Sequence, residues 1–139
     1  MMVGTDLSML RVLIVDDQST MRSIIRTLLK QVGIGQVNDA TNGEEALNWL
    51  KNSSAKYPDL IITDLHMDGM DGMELCNAIR RNEKLRSNLT PIIILTGDQD
   101  EMMHEVCRQL GAASVLTKPV TGQELLEEIQ SVIGYTTAA

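Results

Sequence analysis

Short polar runs, each directly behind an apolar stretch, carry the chemistry of this sequence. Asp16-Asp17 follow Val12–Val15, Asp64 follows Leu60–Thr63, Thr96 closes Ile92–Leu95, and Lys118-Pro119 follow Ser114–Thr117. If these runs converge, three carboxylates, one hydroxyl and one amine share a small volume. Three carboxylates at close quarters repel, and at least one should titrate above its ordinary range unless compensated. Lys118 supplies one positive charge. A divalent cation supplies more, and a hard oxygen set without Cys or His favours Mg²⁺ over zinc. A carboxylate can attack phosphorus to form an acyl phosphate, provided cations and donors neutralise the developing charge. Lys118 is a compact point charge suited to a phosphoryl oxygen, and Thr96 offers a hydroxyl to the same group. These residue types together describe phosphoryl transfer onto Asp64.

What must position them is an alternation of β-rich runs with helical periodicity. The strands are expected at Arg11–Val15, Gln36–Ala40, Leu60–Thr63, Ile92–Thr96 and Ser114–Thr117. Three of these are continuously apolar, as suits central parallel strands covered on both faces. The first helix has Met21, Ile24, Ile25, Leu28, Leu29 and Val32 at three- and four-residue steps, with Arg22, Arg26 and Lys30 opposite. Ser19 or Thr20 is its expected N-cap and Gly33 its stop. Further helices are expected near 43–52, 72–82, 100–110 (with Met103, Val106, Cys107 and Leu110 apolar) and 121–133. Alternating βα units imply a parallel sheet. The expected fold is α/β, a flavodoxin-like doubly wound (βα)5 with a five-stranded sheet ordered 2-1-3-4-5. Its functional crevice lies beyond the carboxyl ends of the strands, where the polar runs fall.

Composition sets the remaining bounds. The chain has 139 residues, enough for one domain, expected at 11–133 with short tails at 1–10 and 134–139. Aromatic residues are only 2%, so the core must be aliphatic. A formal net charge of −7 argues against nucleic acid or an anionic membrane as partner. Cys76 and Cys107 sit in apolar-periodic stretches outside any CxxC pair, and read as buried reduced thiols. No signal peptide pattern opens the chain and no apolar run approaches the ~20 residues of a membrane span; the expectation is a soluble cytoplasmic protein.

The chain resembles the receiver domains of two-component response regulators, and more narrowly the stand-alone chemotaxis regulators of the CheY type. The matching motifs are Val-Leu-Ile-Val-Asp-Asp (12–17), Ser-Thr-Met-Arg (19–22), Asn-Gly-Glu-Glu-Ala-Leu (42–47), Asp64 with Met67 and Met70-Asp71-Gly72, Ile-Leu-Thr-Gly (94–97) and Lys-Pro (118–119). Each alone is weak; the ordered set, spanning residues 11 to about 133, is specific. The resemblance implies that Asp64 is the phosphoacceptor and that Asp16 and Asp17 hold Mg²⁺ together with Asp64 and the backbone carbonyl of His66. It further implies that Thr96 moves to meet the phosphoryl group, that Lys118 pairs with it, and that the Lys118–Pro119 bond is cis. The donor would be a histidine kinase or phosphotransfer protein. Output would pass to a downstream protein target through the face of the fourth helix, fifth strand and fifth helix. The protein would be a monomer or a phosphorylation-dependent dimer, and no enzyme beyond its own phosphorylation and dephosphorylation.

Two departures stand out. Val115 occupies the switch position where chemotaxis regulators carry Tyr, and Leu65 replaces an aromatic beside the acceptor. Met67 is followed by Asp68-Gly69 instead of the usual Pro, which makes a more flexible, more acidic loop. His66 and His104 read as surface residues, Met102 and Met103 as helix-face packing, Trp49 as partly buried, and Glu124, Glu127 and Glu128 as a solvated helix face. Other functions fit less well. A hydrolase with an aspartyl-phosphate intermediate would need Asp-x-Asp after the first strand, and a flavin carrier would need stacking aromatics. A pseudo-receiver that serves as an unphosphorylated adaptor is the main alternative, against which the intact acidic, Thr and Lys set counts.

Overall fold

The computed structural model describes residues 7–52, 57–82, 85 and 89–138, with the backbone alone for 134–138. After a 3-10 turn at Leu7–Met9, the chain runs β1 (Arg11–Val15), α1 (Ser19–Gln31), β2 (Gln36–Ala40), α2 (Gly43–Asn52) and β3 (Leu60–Asp64). It continues through α3 (Gly72–Arg81), β4 (Ile92–Thr96), α4 (Glu101–Gln109), β5 (Ser114–Thr117) and α5 (Gly122–Ala138). All neighbouring strands pair in parallel, in the order β2-β1-β3-β4-β5. This is the expected flavodoxin-like sheet. Of the expected tails, residues 1–6 lie outside the described residues, while α5 continues past the expected end at Ile133 to Ala138.

The continuous apolar runs become strands because both faces are covered. Side chains alternate across a strand, so Leu13, Val15, Ile61, Ile92 and Ile94 pack with Ala46 and Leu50 of α2, Leu75, Cys76 and Ile79 of α3, and Cys107 of α4. Val12, Ile14, Leu60, Ile62, Ile93 and Leu95 face the other way, onto Ile25 and Leu29 of α1 and Leu125 and Ile129 of α5. Each fully buried Leu or Ile contributes roughly 1.5–3 kcal/mol, so the two aliphatic layers hold the sheet, with partly buried Trp49 and Tyr57 packed against one of them.

The helix faces match the expected periodicity except at their margins. In α1 Ile25 and Leu29 are buried, but Ile24 is 46% exposed. In α4 Val106 is 39% exposed, and Met102, expected to pack, is 77% exposed, while Met103 does pack on the core. His104, expected at the surface, is buried among the inward residues of α4. The N-cap of α1 is Gln18, with no side-chain cap bond, rather than Ser19 or Thr20. The Gln18 carbonyl already takes the first helical bond, from the Arg22 amide at 3.0 Å, and Asp16 Oδ1 fixes Gln18 there by accepting from its amide at 2.9 Å. Gly33, at φ 98°, ends the helix as expected, with the Ile34 amide returning to the Leu29 carbonyl.

Cys76 and Cys107 are buried and unbonded to one another. Burial, with smaller opposed contributions from Arg80 and Cys107, pushes the Cys76 thiol up to about 11, and burial raises Cys107 as well. Thiols reactive at neutral pH are thiolates. Titration of the native protein with an aromatic disulfide is therefore expected to find no fast-reacting thiol, and both thiols after denaturation. A thiol reacting within seconds in the native state would contradict this packing.

Candidate functional site

Strand register, set by the hydrophobic layers, brings the distant polar residues together. Val15 pairs with Thr63 and Asp64 with Leu95, while Thr96 pairs with Thr117. Asp16 thus emerges beside Asp64, Thr96 one step beyond, and Lys118 one step past Thr117. Backbone bonds extend the ladders to these residues: the Asp16 amide donates to the Ala40 carbonyl at 3.2 Å, and the Lys118 amide to the Thr96 carbonyl at 2.7 Å. Because β1 lies between β2 and β3, the crevice opens where the strand order reverses.

Ligand oxygens of Asp16, Asp17 and Asp64 lie within 4.8 Å of one another. Lys118 reaches in from the opposite strand: its Nζ donates to Asp64 Oδ1 at 3.1 Å and stands 3.7 Å from Asp16 Oδ2. Asp64 Oδ1 also accepts from the Leu65 amide at 2.9 Å. The Asp64 side chain keeps 12% of its surface exposed, enough for a small donor to approach. Thr96 is fully buried, its Oγ1 accepting from the Asp98 amide at 3.0 Å. Val115 is nearly buried and pairs with Ile94. The Lys118–Pro119 bond is cis.

Asp16 uses its two oxygens differently. Oδ1 organises the entrance of α1, while Oδ2 is buried and makes no hydrogen bond among the described residues. Burial is the chief reason its carboxyl titrates above the usual 3.8; the Gln18 amide lowers it, Asp64 and Asp17 raise it, and Lys118 lowers it. A buried carboxylate oxygen lacking a hydrogen bond, beside two further carboxylates, is a donor set that a hard divalent cation satisfies. The residues therefore fit the Mg²⁺ that the resemblance implies.

The pH consequence has a definite sign. The folded-state value of Asp16 lies above its unfolded value, so its contribution to stability is full below about pH 3.8 and is lost as pH rises through the folded value. In EDTA at neutral pH, Asp16→Asn is expected to stabilise the protein by about 1–2 kcal/mol, the cost of a buried carboxylate that Lys118 and the Gln18 amide offset only in part. Urea midpoints of the two proteins should converge as pH falls from about 7 to about 4. A midpoint lower than wild type at neutral pH in EDTA would show that Asp16 is compensated.

Several residues that shape the site gave no local signal. Arg22, expected on the solvent face of α1, donates from its side chain to the Asp16 carbonyl at 2.8 Å and lies 3.6 Å from Asp39. Gly72 donates its amide to the Leu65 carbonyl at 2.8 Å; a Cβ there would stand 2.4 Å from the Asp64 carbonyl oxygen. The loop at Asp68-Gly69, expected to be loose, is held at two points. The Asp68 amide donates to Asp17 Oδ2 at 3.3 Å, and the Met70 amide to Glu44 Oε1 of α2 at 3.2 Å. Gly69 has φ 75° between them, where a side chain would be strained. All three glutamates expected to be merely solvated have partners: Glu124 forms a reciprocal cap with Thr121, Glu127 accepts from Gln123 Nε2 at 3.1 Å, and Glu128 accepts from Ser114 at 2.6 Å. His66 is exposed, as expected, with Nε2 3.6 Å from Asp98 Oδ2. His104 Nε2 meets the Asp98 carbonyl at 2.6 Å.

The family model for the response regulator receiver domain matches residues 12–130. The chain belongs to the response regulator receiver family. The chemotaxis protein CheY of Pseudomonas aeruginosa is 34% identical over 123 residues, 88% of this chain and 95% of that one. The probable chemotaxis protein CheY of Rhizobium etli is 35% identical over 125 residues, 90% of this chain and 93% of its own. The chemotaxis response regulator CheY4 of Vibrio cholerae superposes with a TM-score of 0.78 at 31% identity, covering 89% and 98% of the two chains. A receiver domain protein from Clostridium thermocellum reaches 0.81 at 29% identity, covering 94% and 98%. No helix among the described residues of this receiver is long and apolar enough to cross a membrane.

Proposed function

We propose that this receiver accepts a phosphoryl group on Asp64, in a Mg²⁺-dependent reaction, from the phosphohistidine of a kinase or phosphotransfer protein. The observation that carries the reading is the pairing of Asp64 with Lys118 beside the buried, hydrogen-bond-free oxygen of Asp16. An Asp64 oxygen attacks phosphorus, the nitrogen–phosphorus bond of the donor breaks, and the donor imidazole keeps the electron pair. Asp16, Asp17, Asp64 and the His66 backbone carbonyl would hold the Mg²⁺, which would supply positive charge to the phosphoryl oxygens. Lys118 pairs with the same oxygens. Thr96, whose hydroxyl oxygen already accepts from Asp98, retains one proton to donate to the new group. The product is an acyl phosphate on Asp64, and Val115 makes room beneath Thr96 without an aromatic ring to swing.

The transferred charge alters the end of β4, and a protein that binds the altered face preferentially reads the signal. The named relatives are chemotaxis proteins, which makes motility the branch of signalling we assign, with a motor component or kinase as target and no nucleic acid or membrane. Action is cytoplasmic, as a monomer or a phosphorylation-dependent dimer.

The test is intact mass after incubation with acetyl phosphate, once with Mg²⁺ and once with EDTA. A gain of one phosphoryl group in Mg²⁺ alone is the expected result. No gain with acetyl phosphate or with phosphorylated kinases would leave the pseudo-receiver, an adaptor that works unphosphorylated.

A further inference from the structure

Val115 leaves the end of β5 without the aromatic that would fill the space beneath Thr96, yet the end of β4 is not slack. A chain of hydrogen bonds runs from Thr96 into α4. The Asp98 amide donates to Thr96 Oγ1 at 3.0 Å, and the carbonyl of the same residue faces His104 Nε2 at 2.6 Å. A carbonyl only accepts, so Nε2 carries the proton. His104 is 4% exposed and stands in the inward row of α4 with Cys107. The helix start is tied to the same loop: Asp98 Oδ1 accepts from the Asp100 amide, and Asp100 Oδ1 caps α4 through the Met102 amide, both at 2.9 Å. Asp98 therefore has its amide on the Thr96 hydroxyl and its carbonyl on a helix side chain.

We propose that His104 is a positioning residue that couples Thr96 to α4 through the Asp98 peptide. The inference rests on the phosphoacceptor reading of Asp64. When Thr96 turns its hydroxyl toward a group on Asp64, the Asp98 amide must follow or release it. His104 holds the other side of Asp98, so that displacement is delivered to the inward face of α4. Any imidazole could fill the space and satisfy one carbonyl; the coupling role demands more, namely that the ring senses occupancy of Asp64.

The test uses beryllofluoride with Mg²⁺, an acyl-phosphate mimic, and NMR of the full chain. In the unmodified protein the His104 ring nitrogen resonances and the α4 amides shift together with those of Thr96 and Asp98. His104→Leu leaves the shifts at 96–98 but weakens the α4 response at least about fivefold, the lower range of a coupling between sites. His104→Gln, which keeps an N–H at similar reach, restores it. His104 ring resonances that ignore beryllofluoride overturn the inference without any variant, so misfolding of His104→Leu cannot shelter it. An α4 response undiminished in a folded His104→Leu protein overturns it too. Absence of any response in wild type, together with no phosphoryl uptake, instead removes the phosphoacceptor reading of Asp64 itself.

Discussion

Asp64→Asn protein, incubated with acetyl phosphate and Mg²⁺, should keep its unmodified mass while wild type gains one phosphoryl group. The amide nitrogen is a poor nucleophile and the amide oxygen carries no formal charge, so uptake should fall by at least about a hundredfold. The fold has little reason to change. The Asn oxygen can still accept from the Leu65 amide and from Lys118, the bonds Asp64 makes now. The substitution also removes one of the charges that raise Asp16. Circular dichroism and the urea midpoint should therefore match or exceed wild type in EDTA. Equal labelling of the two proteins would sink the assignment of Asp64, and would direct attention to Asp17 as the remaining exposed carboxylate of the cluster.

The second large effect is expected at a residue with no side chain. In Gly72→Ala the new Cβ would stand 2.4 Å from the Asp64 carbonyl oxygen and 3.0 Å from Leu65 Cα. Both neighbours are backbone, and the oxygen already accepts from Thr63 Oγ1 at 2.9 Å, so neither yields easily. Overpacking of this kind costs about 3 kcal/mol. A change at Gly35, where a Cβ meets nothing within 4 Å, is the matched control. Relief can come only by moving the end of β3 or the start of α3, and the first of these displaces Asp64 from Lys118. Phosphoryl uptake should fall with stability, and lowering the temperature until the variant is folded should not restore the rate in full. A Gly72→Ala protein with wild-type midpoint and uptake would mean that the α3 start shifts freely.

The sheet was legible because its three central strands are continuous apolar runs, and a run such as Ile92–Leu95 has few homes other than between two helical layers. The site was legible for a related reason. Once parallel strands are placed, whatever follows them must gather at one edge, so Asp16, Asp64, Thr96 and Lys118 declared themselves by position. What stayed hidden depends on partners far along the chain. His104 has the same neighbours in sequence whether its ring points to water or to the Asp98 carbonyl. Ile24 and Val106 belong to apolar stripes by spacing, yet lie at stripe margins that no neighbouring helix covers. Gly72 looked like one more helix-start glycine, because nothing local reveals that the Asp64 carbonyl is pressed against it. Ser19 failed as a cap because the helix starts one residue earlier, its first bond running from the Arg22 amide to the Gln18 carbonyl.

The two tethers of the Asp68-Gly69 loop give the molecule separate lines of report. Asp17 Oδ2 now receives the Asp68 amide, and a cation held through that oxygen would compete with the amide. Whatever Asp68 does next is passed by Gly69 to Met70, whose amide rests on Glu44 of α2. If the site works as proposed, cation occupancy would be felt on the α2 side of the sheet, and acceptor occupancy at the end of β4. On the proposed reading, a partner that contacts the α2 flank would tell a cation-loaded but unmodified molecule from an empty one, so the switch would have three states rather than two.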